Sequence, residues 1–370
     1  MSAGVEIQII AALAAAACAL PGVFLVLRGM ALMSDAISHV ILLGIVIMFF
    51  IVGDLQSPLI TVGAAASGLL TVFLIESLSR TGLVKRDAAI GIVFPLFFSL
   101  GVILVSRYAA NIHLDVDAVL LGELTLAPFN RMIIAGRDLG PQGAWSMATV
   151  LALNVIMLLV FYKELKLATF DAGFAASLGF APGLLHYGLM GLVSVSAVEA
   201  FDVVGAILVV ALMVAPPAAA YLLTRRLSTM LVLAAVLGAT GAIAGYWFSR
   251  WVNGSISGSM ATMLGVQFAL VYLFAPQRGL VSMAWKRKRQ KLDFAGTMLT
   301  VHLFNHEDLP EAEQENRVAH LGEHLRWADH FAVAVVKAAE NSGLVECSPE
   351  GLLTLTPHGR THAREVMVSP

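Results

Sequence analysis

Residues 28–52 read RGMALMSDAISHVILLGIVIMFFIV. Beyond Arg28 the run is apolar for roughly the 20 residues that carry a helix across about 30 Å of hydrocarbon. Two ionisable side chains interrupt it, Asp35 and His39. Their i, i+4 spacing puts them on one helix face. At about 1.5 Å per residue they lie roughly 10–15 Å into the span. An ionisable group at that depth is costly, so it marks a functional site by default. Carboxylate plus imidazole suits Mn²⁺, Fe²⁺ or Zn²⁺ better than Cu⁺. Ser34 and Ser38 each precede one of the pair and are placed to orient it. The alternative is structural, an Asp–His hydrogen bond between helices. A divalent ion takes about four to six ligands. One pair falls short, so the chemistry asks for a second membrane subunit offering a similar pair across a shared axis.

Apolar runs of similar length recur on both sides. Spans are expected near 7–27, 29–51, 57–79, 88–106, 147–164, 183–199, 203–223, 229–250 and 257–275. The stretch 112–143 is less apolar and carries Pro128 and Gly136, so short helices or a re-entrant piece are expected there. The first run has no basic segment before it and further spans follow at once. It is expected to be a membrane helix rather than a cleaved leader. The fold class is thus an all-α polytopic membrane protein of about nine helices, with a small cytoplasmic appendage.

Charge marks the appendage. Residues 1–285 hold 26 Asp, Glu, Lys and Arg, whereas residues 286–370 hold 22, with seven of the ten His. A transmembrane domain at 1–285 and a soluble domain at 286–370 are expected. Overall 58% of residues are hydrophobic and 13% charged, which excludes a disordered chain and an ordinary soluble enzyme. Cys18 and Cys347 cannot build a disulfide framework or a thiolate metal site.

Orientation follows from the basic residues. With Lys286–Lys291 in the cytoplasm, Arg28, Arg80, Lys85, Arg86, Lys163, Lys166, Arg225, Arg226 and Arg278 also fall inside, and Arg107, Arg131, Arg137 and Arg250 outside. The N-terminus is then external and the C-terminus cytoplasmic. Glu6, Asp54, Asp115, Asp117, Glu123, Asp138, Glu199 and Asp202 lie on or near the outer face. A negative vestibule of that kind concentrates cations; ordinary loop solvation is the bland alternative.

Two further stretches stand out. In Thr169–Phe180, Asp171 is placed to N-cap a short helix and Gly179 to stop it. On the cytoplasmic side such a helix reads as a docking knob or as an interfacial connector. Pro216-Pro217 falls inside a span, where a kink is expected.

Phe24–Ile51, Lys85–Pro95, His113–Glu123, Phe161–Gly179, Gly205–Leu222 and Ala275–Leu280 together resemble the permease subunits of metal-ion ABC importers, in order, over about 7–282. These are manganese, zinc and iron importers that receive metal from an extracytoplasmic binding protein. The resemblance implies that Asp35 and His39 are the Asp-x-x-x-His motif lining the translocation path. It implies that Phe170, Asp171 and Gly179 belong to the coupling helix that inserts into the ATPase. Leu43 stands where many members have proline. The subgroup with Leu pairs two different permeases, so a heterodimer is favoured over a homodimer. No Gly-x-x-x-x-Gly-Lys-Ser/Thr loop occurs, so ATP must be hydrolysed on a partner subunit.

After the basic cluster, helices are expected near 293–305, 311–324 and 327–342, strands at 344–348 and 352–356, and a last helix after Pro357. The ending Leu355–Ala363 resembles the winged-helix domain of iron-dependent repressors. His302/His306, His320/His324 and His358/His362 are paired at helical spacing. Metal sensing by His302, His306, His320 and His324 is one reading, exposed helix histidines the other. Nucleic acid is not an expected partner, because Trp327–Asn341 carries only Lys337 as a base.

The sequence therefore reads as the permease of an ATP-driven importer in a bacterial inner membrane. Mn²⁺ is the first expectation for its cargo, then Fe²⁺ or Zn²⁺. A metal-sensing membrane regulator is the alternative. An intramembrane metalloenzyme is disfavoured by the lack of His-Glu-x-x-His.

Overall fold

The computed structural model describes residues 2–54, 57–108, 124–134, 137–307 and 316–368, the side chains of 108, 134, 137, 319, 323 and 324 excepted. The chain divides into two compact units, Met1–Arg278 and Gly279–Pro370.

The first unit opens with α1 (Ala3–Leu27), α2 (Leu32–Val52), α3 (Pro58–Arg80) and α4 (Arg86–Tyr108). A hairpin follows, β1 (Arg131–Ile134) against β2 (Arg137–Pro141). Then come α5 (Gln142–Val160), two short helices α6 (Tyr162–Phe170) and α7 (Ala172–Ser177), and α8 (Pro182–Val204). The unit closes with α9 (Ala206–Leu223), α10 (Leu227–Val252) and α11 (Ile256–Phe274). Among the described residues nine helices are long and apolar enough to cross a membrane: α1–α5 and α8–α11. Lipid offers the backbone no hydrogen-bond partner, so each span satisfies itself as helix.

The expectation of short helices over 112–143 is corrected in its described part: residues 131–134 and 137–141 pair as antiparallel strands, while 109–123 and 135–136 lie outside the described residues. The strands are four and five residues long and their sequence carries no period-2 alternation, so nothing local distinguishes them from the flanking spans.

Helix α1 is the buried axis. Ala11, Ala14, Ala15, Ala17, Cys18 and Ala19 have no exposed surface, and α1 packs on α5, α8, α9 and α10. Small residues let these backbones touch. A Cβ on Gly22 would overlap the Met213 carbonyl oxygen of α9. Helix α9 continues unbroken through Pro216 and Pro217, with Pro217 Cγ against Gly22. Helix α2 packs on α3, α4 and α8. Interhelical hydrogen bonds pin this layer. Ser194 Oγ donates to Ala65 O at 2.9 Å, and Asn154 Nδ2 donates to Ala17 O (2.9 Å) and Ser196 Oγ (2.8 Å).

The second unit has its own core around Leu299, Leu303, Leu321, Val335 and Leu353. It consists of α12 (Leu280–His306), a 3₁₀ turn at Val318–His320, α13 (Leu321–His324), α14 (Asp329–Asn341), β3 (Val345–Cys347), β4 (Leu353–Leu355) and α15 (Pro357–Val368). The strands pair antiparallel, with Glu346 opposite Thr354. Helix α12 starts 13 residues before the expected 293. Lys286–Lys291 interrupts the apolar pattern, but Lys, Arg and Gln are good helix formers and the helix runs through them. Residues 308–315, where the next helix was expected to begin, lie outside the described residues.

Candidate functional site

A tight turn sets up the approach to Asp35. Gly29 at φ 65° ends α1, with its N–H on Val26 O and the Met30 N–H on Leu25 O. This Schellman arrangement needs a left-handed residue, which glycine supplies without a Cβ penalty. Two residues after Met30, α2 begins.

On α2, His39 Nε2 lies 3.4 Å from Asp35 Oδ1, with side chains 26% and 43% exposed. The imidazole is bracketed by α4. Its ring centroid is 5.1 Å from Phe94 and 5.7 Å from Phe98. The pair therefore presents two ligating atoms on one face, half open, against an aromatic wall. Among the described residues no three His, Cys, Asp or Glu come close enough to hold a metal ion. Asp35 and His39 thus stand as a pair, without a third such residue beside them among the described residues. The two serines play another part than orientation. Ser34 Oγ donates to Ala31 O (2.7 Å) and Ser38 Oγ to Ser34 O (2.8 Å), so both hydroxyls are committed to backbone within the buried face.

Asp171 caps α7 as its spacing predicts, accepting the Phe174 N–H on Oδ1 at 2.8 Å. At the other end the Gly179 N–H bonds Ala176 O and the Phe180 N–H bonds Ala175 O, with Gly179 at φ 86°. Phe170, Phe174 and Leu178 are exposed around this short helix. Such an apolar, capped knob suits insertion into a partner's groove.

Of the proposed outer acids, Asp115, Asp117 and Glu123 lie outside the described residues. Glu199 on α8 lies near Thr61, at the start of α3, and near Asp202. Glu6 and Asp138 converge on one cation instead of standing free. Arg131 Nε donates to Asp138 Oδ2 at 2.5 Å, and Arg131 Nη1 lies 3.4 Å from Glu6 Oε2. The Gly140 N–H, then the Arg131 guanidinium, hold the Asp138 carboxyl below the usual carboxylate range. That arrangement ties the hairpin to the start of α1.

In the second unit, the His302 and His306 rings lie 4.4 Å apart, and His306 Nδ1 bonds His302 O at 2.8 Å. His320 ends the 3₁₀ turn, and the His324 side chain lies outside those described. Nearby, Arg360 Nε donates to Glu307 Oε1 at 2.8 Å.

One polar cluster escaped the sequence reading. Arg28, the C-cap of α1, donates from Nε and Nη2 to Thr169 Oγ1 at 3.2 and 3.1 Å, and from Nη1 to His186 Nδ1 at 3.0 Å. His186 Nε2 lies 2.5 Å from Glu76 Oε1, and Arg80 Nη2 lies 3.7 Å from Glu76 Oε2. Glu76 is buried. An acid inside the apolar α3 run, four residues before an arginine, was the available signal.

The family model described as "ABC 3 transport family" matches residues 5–275, across all nine spans. The chain belongs to the ABC 3 transport family. Among ABC 3 relatives, the zinc transport system membrane protein TroD of Treponema pallidum is 49% identical over 96% of both chains. The manganese transport system membrane protein MntD of Bacillus subtilis is 48% identical over 75% of this chain and 94% of its own. Among solved structures, PsaBC from Streptococcus pneumoniae in complex with Fab aligns with a TM-score of 0.63 and 29% identity, over 75% of this chain and 94% of that one. The ABC 3 match thus falls on the first unit, and TroD extends the likeness through nearly the whole chain.

Proposed function

We propose that this ABC 3 permease forms the translocation path of an ATP-driven importer of divalent transition metal, with Mn²⁺ the first candidate and Zn²⁺ or Fe²⁺ next. The observation that carries the reading is the Asp35–His39 pair, two hard-to-borderline ligands 3.4 Å apart on a spanning helix. The names of the relatives agree in kind: TroD is a zinc and MntD a manganese transport protein.

The mechanism follows from the parts. An extracytoplasmic binding protein delivers the ion to the end carrying Glu199 and Asp202. The Asp35 carboxylate and the His39 imidazole then replace part of the ion's water shell. A second permease, the same chain or a related one, supplies the remaining ligands, because one chain offers two. Phe94 and Phe98 flank the imidazole. ATP is hydrolysed on a partner subunit that receives the Phe170–Gly179 knob. In this orientation the N-terminus is external and the C-terminus cytoplasmic, in a bacterial inner membrane. The Gly279–Pro370 unit is a cytoplasmic appendage of winged-helix type, given its order of helices, hairpin and final helix.

Asp35→Ala and His39→Ala test the site in the assembled transporter. Uptake should fall by about tenfold or more for loss of a charged ligand, with the permease still co-purifying with its ATPase. Wild-type uptake in both variants would remove the site assignment.

A further inference from the structure

We infer that Arg28, Thr169, His186 and Glu76 form a positioning latch that carries movement of the α6–α8 connection to the α1–α2 hairpin bearing Asp35 and His39. This rests on the transport reading above.

Topology makes the case first. Thr169 lies in the last turn of α6, two residues before the capping Asp171. His186 lies in the first turns of α8, after Gly179. The knob is therefore flanked on both sides by residues that one guanidinium holds, through Nε and Nη2 on Thr169 and Nη1 on His186. Arg28 is itself the last residue before the Gly29 turn, and Asp35 follows in the first turn of α2. Only residues 29–31 separate Arg28 from α2, which begins at Leu32.

The chemistry gives the latch a direction. An arginine can only donate, so His186 Nδ1 is the acceptor and the ring proton resides on Nε2. His186 Nε2 in turn lies 2.5 Å from Glu76 Oε1, within ion-pair distance. The imidazole thus bridges a cation and a buried carboxylate in one fixed tautomer. Glu76 continues the link into α3, which packs along α2: Ser67 Oγ reaches Val40 O at 3.3 Å, and Gly44 and Ala64 come into backbone contact. Two routes therefore leave the knob, one through Arg28 into the turn before α2, the other through Glu76 into α3. Both end on the helix that carries the metal pair. A charged network held together by several donors at low exposure moves as a unit or breaks as a unit.

The test is coupling, measured as metal taken up per ATP hydrolysed by the assembled transporter in proteoliposomes with its metal-loaded binding protein. Arg28→Ala should lower that ratio by about fivefold or more, the smallest effect of a coupling contact, with ATP hydrolysis and co-purification near wild type. Thr169→Val removes only the hydroxyl and is far from the metal pair; it should lower the ratio in the same direction. The double variant should be no worse than Arg28→Ala alone, as expected for one network. Arg28→Lys, which keeps charge but loses the fork, should not restore the ratio. The latch is overturned if uptake and hydrolysis fall in the same proportion, or if Thr169→Val transports at the wild-type ratio even where Arg28→Ala fails to assemble. Failure of the transport reading looks different: wild-type liposomes would then take up no Mn²⁺, Zn²⁺ or Fe²⁺ at all.

Discussion

Asp35 and His39 are an ionisable pair set one turn apart inside an apolar helix. A carboxylate inside hydrocarbon is stable only with a partner or a passing ion. Here an imidazole lies 3.4 Å from the carboxylate. This pair was legible because both residues lie within one turn of one helix, where i, i+4 spacing fixes the face. The Arg28 cluster was not, because its partners stand 141 and 158 positions away and no local period links them. Asp115, Asp117 and Glu123 belong to the outer face only by charge counting. Glu6 and Asp138 are both matched by Arg131, which that count already includes.

At the scale of the element, the spans were readable from apolar length, whereas short or mixed pieces were not. The β1–β2 hairpin sits where Pro128 and Gly136 suggested broken helix, and α12 runs straight through the cluster that reads as a boundary. The knob is the exception: its two stops, Asp171 and Gly179, are local hydrogen-bond devices and local sequence reveals them. Asp171→Ala removes the Phe174 N–H acceptor and should cost α7 about 1 kcal/mol. Weaker retention of the ATPase through purification is the expected result, with Asp171→Asn close to wild type. Close helix crossings make a second prediction. Gly22→Val drives two methyl groups into the Met213 carbonyl and Pro217. Overpacking of this kind costs about 1–3 kcal/mol, and should appear as a lower melting temperature of the detergent-solubilised protein.

The whole molecule separates into a unit that the ABC 3 match spans and a unit with its own core. The relative MntD aligns over nearly all of its own length with three quarters of this chain, so a related permease carries little beyond the shared part. Ending this chain at Arg278 should therefore leave metal uptake within about twofold of the full chain, below the smallest ordinary coupling effect. The sensor reading predicts instead that the shortened protein loses a response of transport to cytoplasmic metal. The two outcomes are separated by uptake rates at low and high internal Mn²⁺. The central claim is tested most directly by the metal content of cells making the complete transporter, with Mn²⁺, Zn²⁺ and Fe²⁺ supplied in turn. The account predicts accumulation of one of these metals, Mn²⁺ first, in cells with the wild-type chain and about tenfold less or lower with Asp35→Ala. Equal accumulation in both, or in neither, would contradict it.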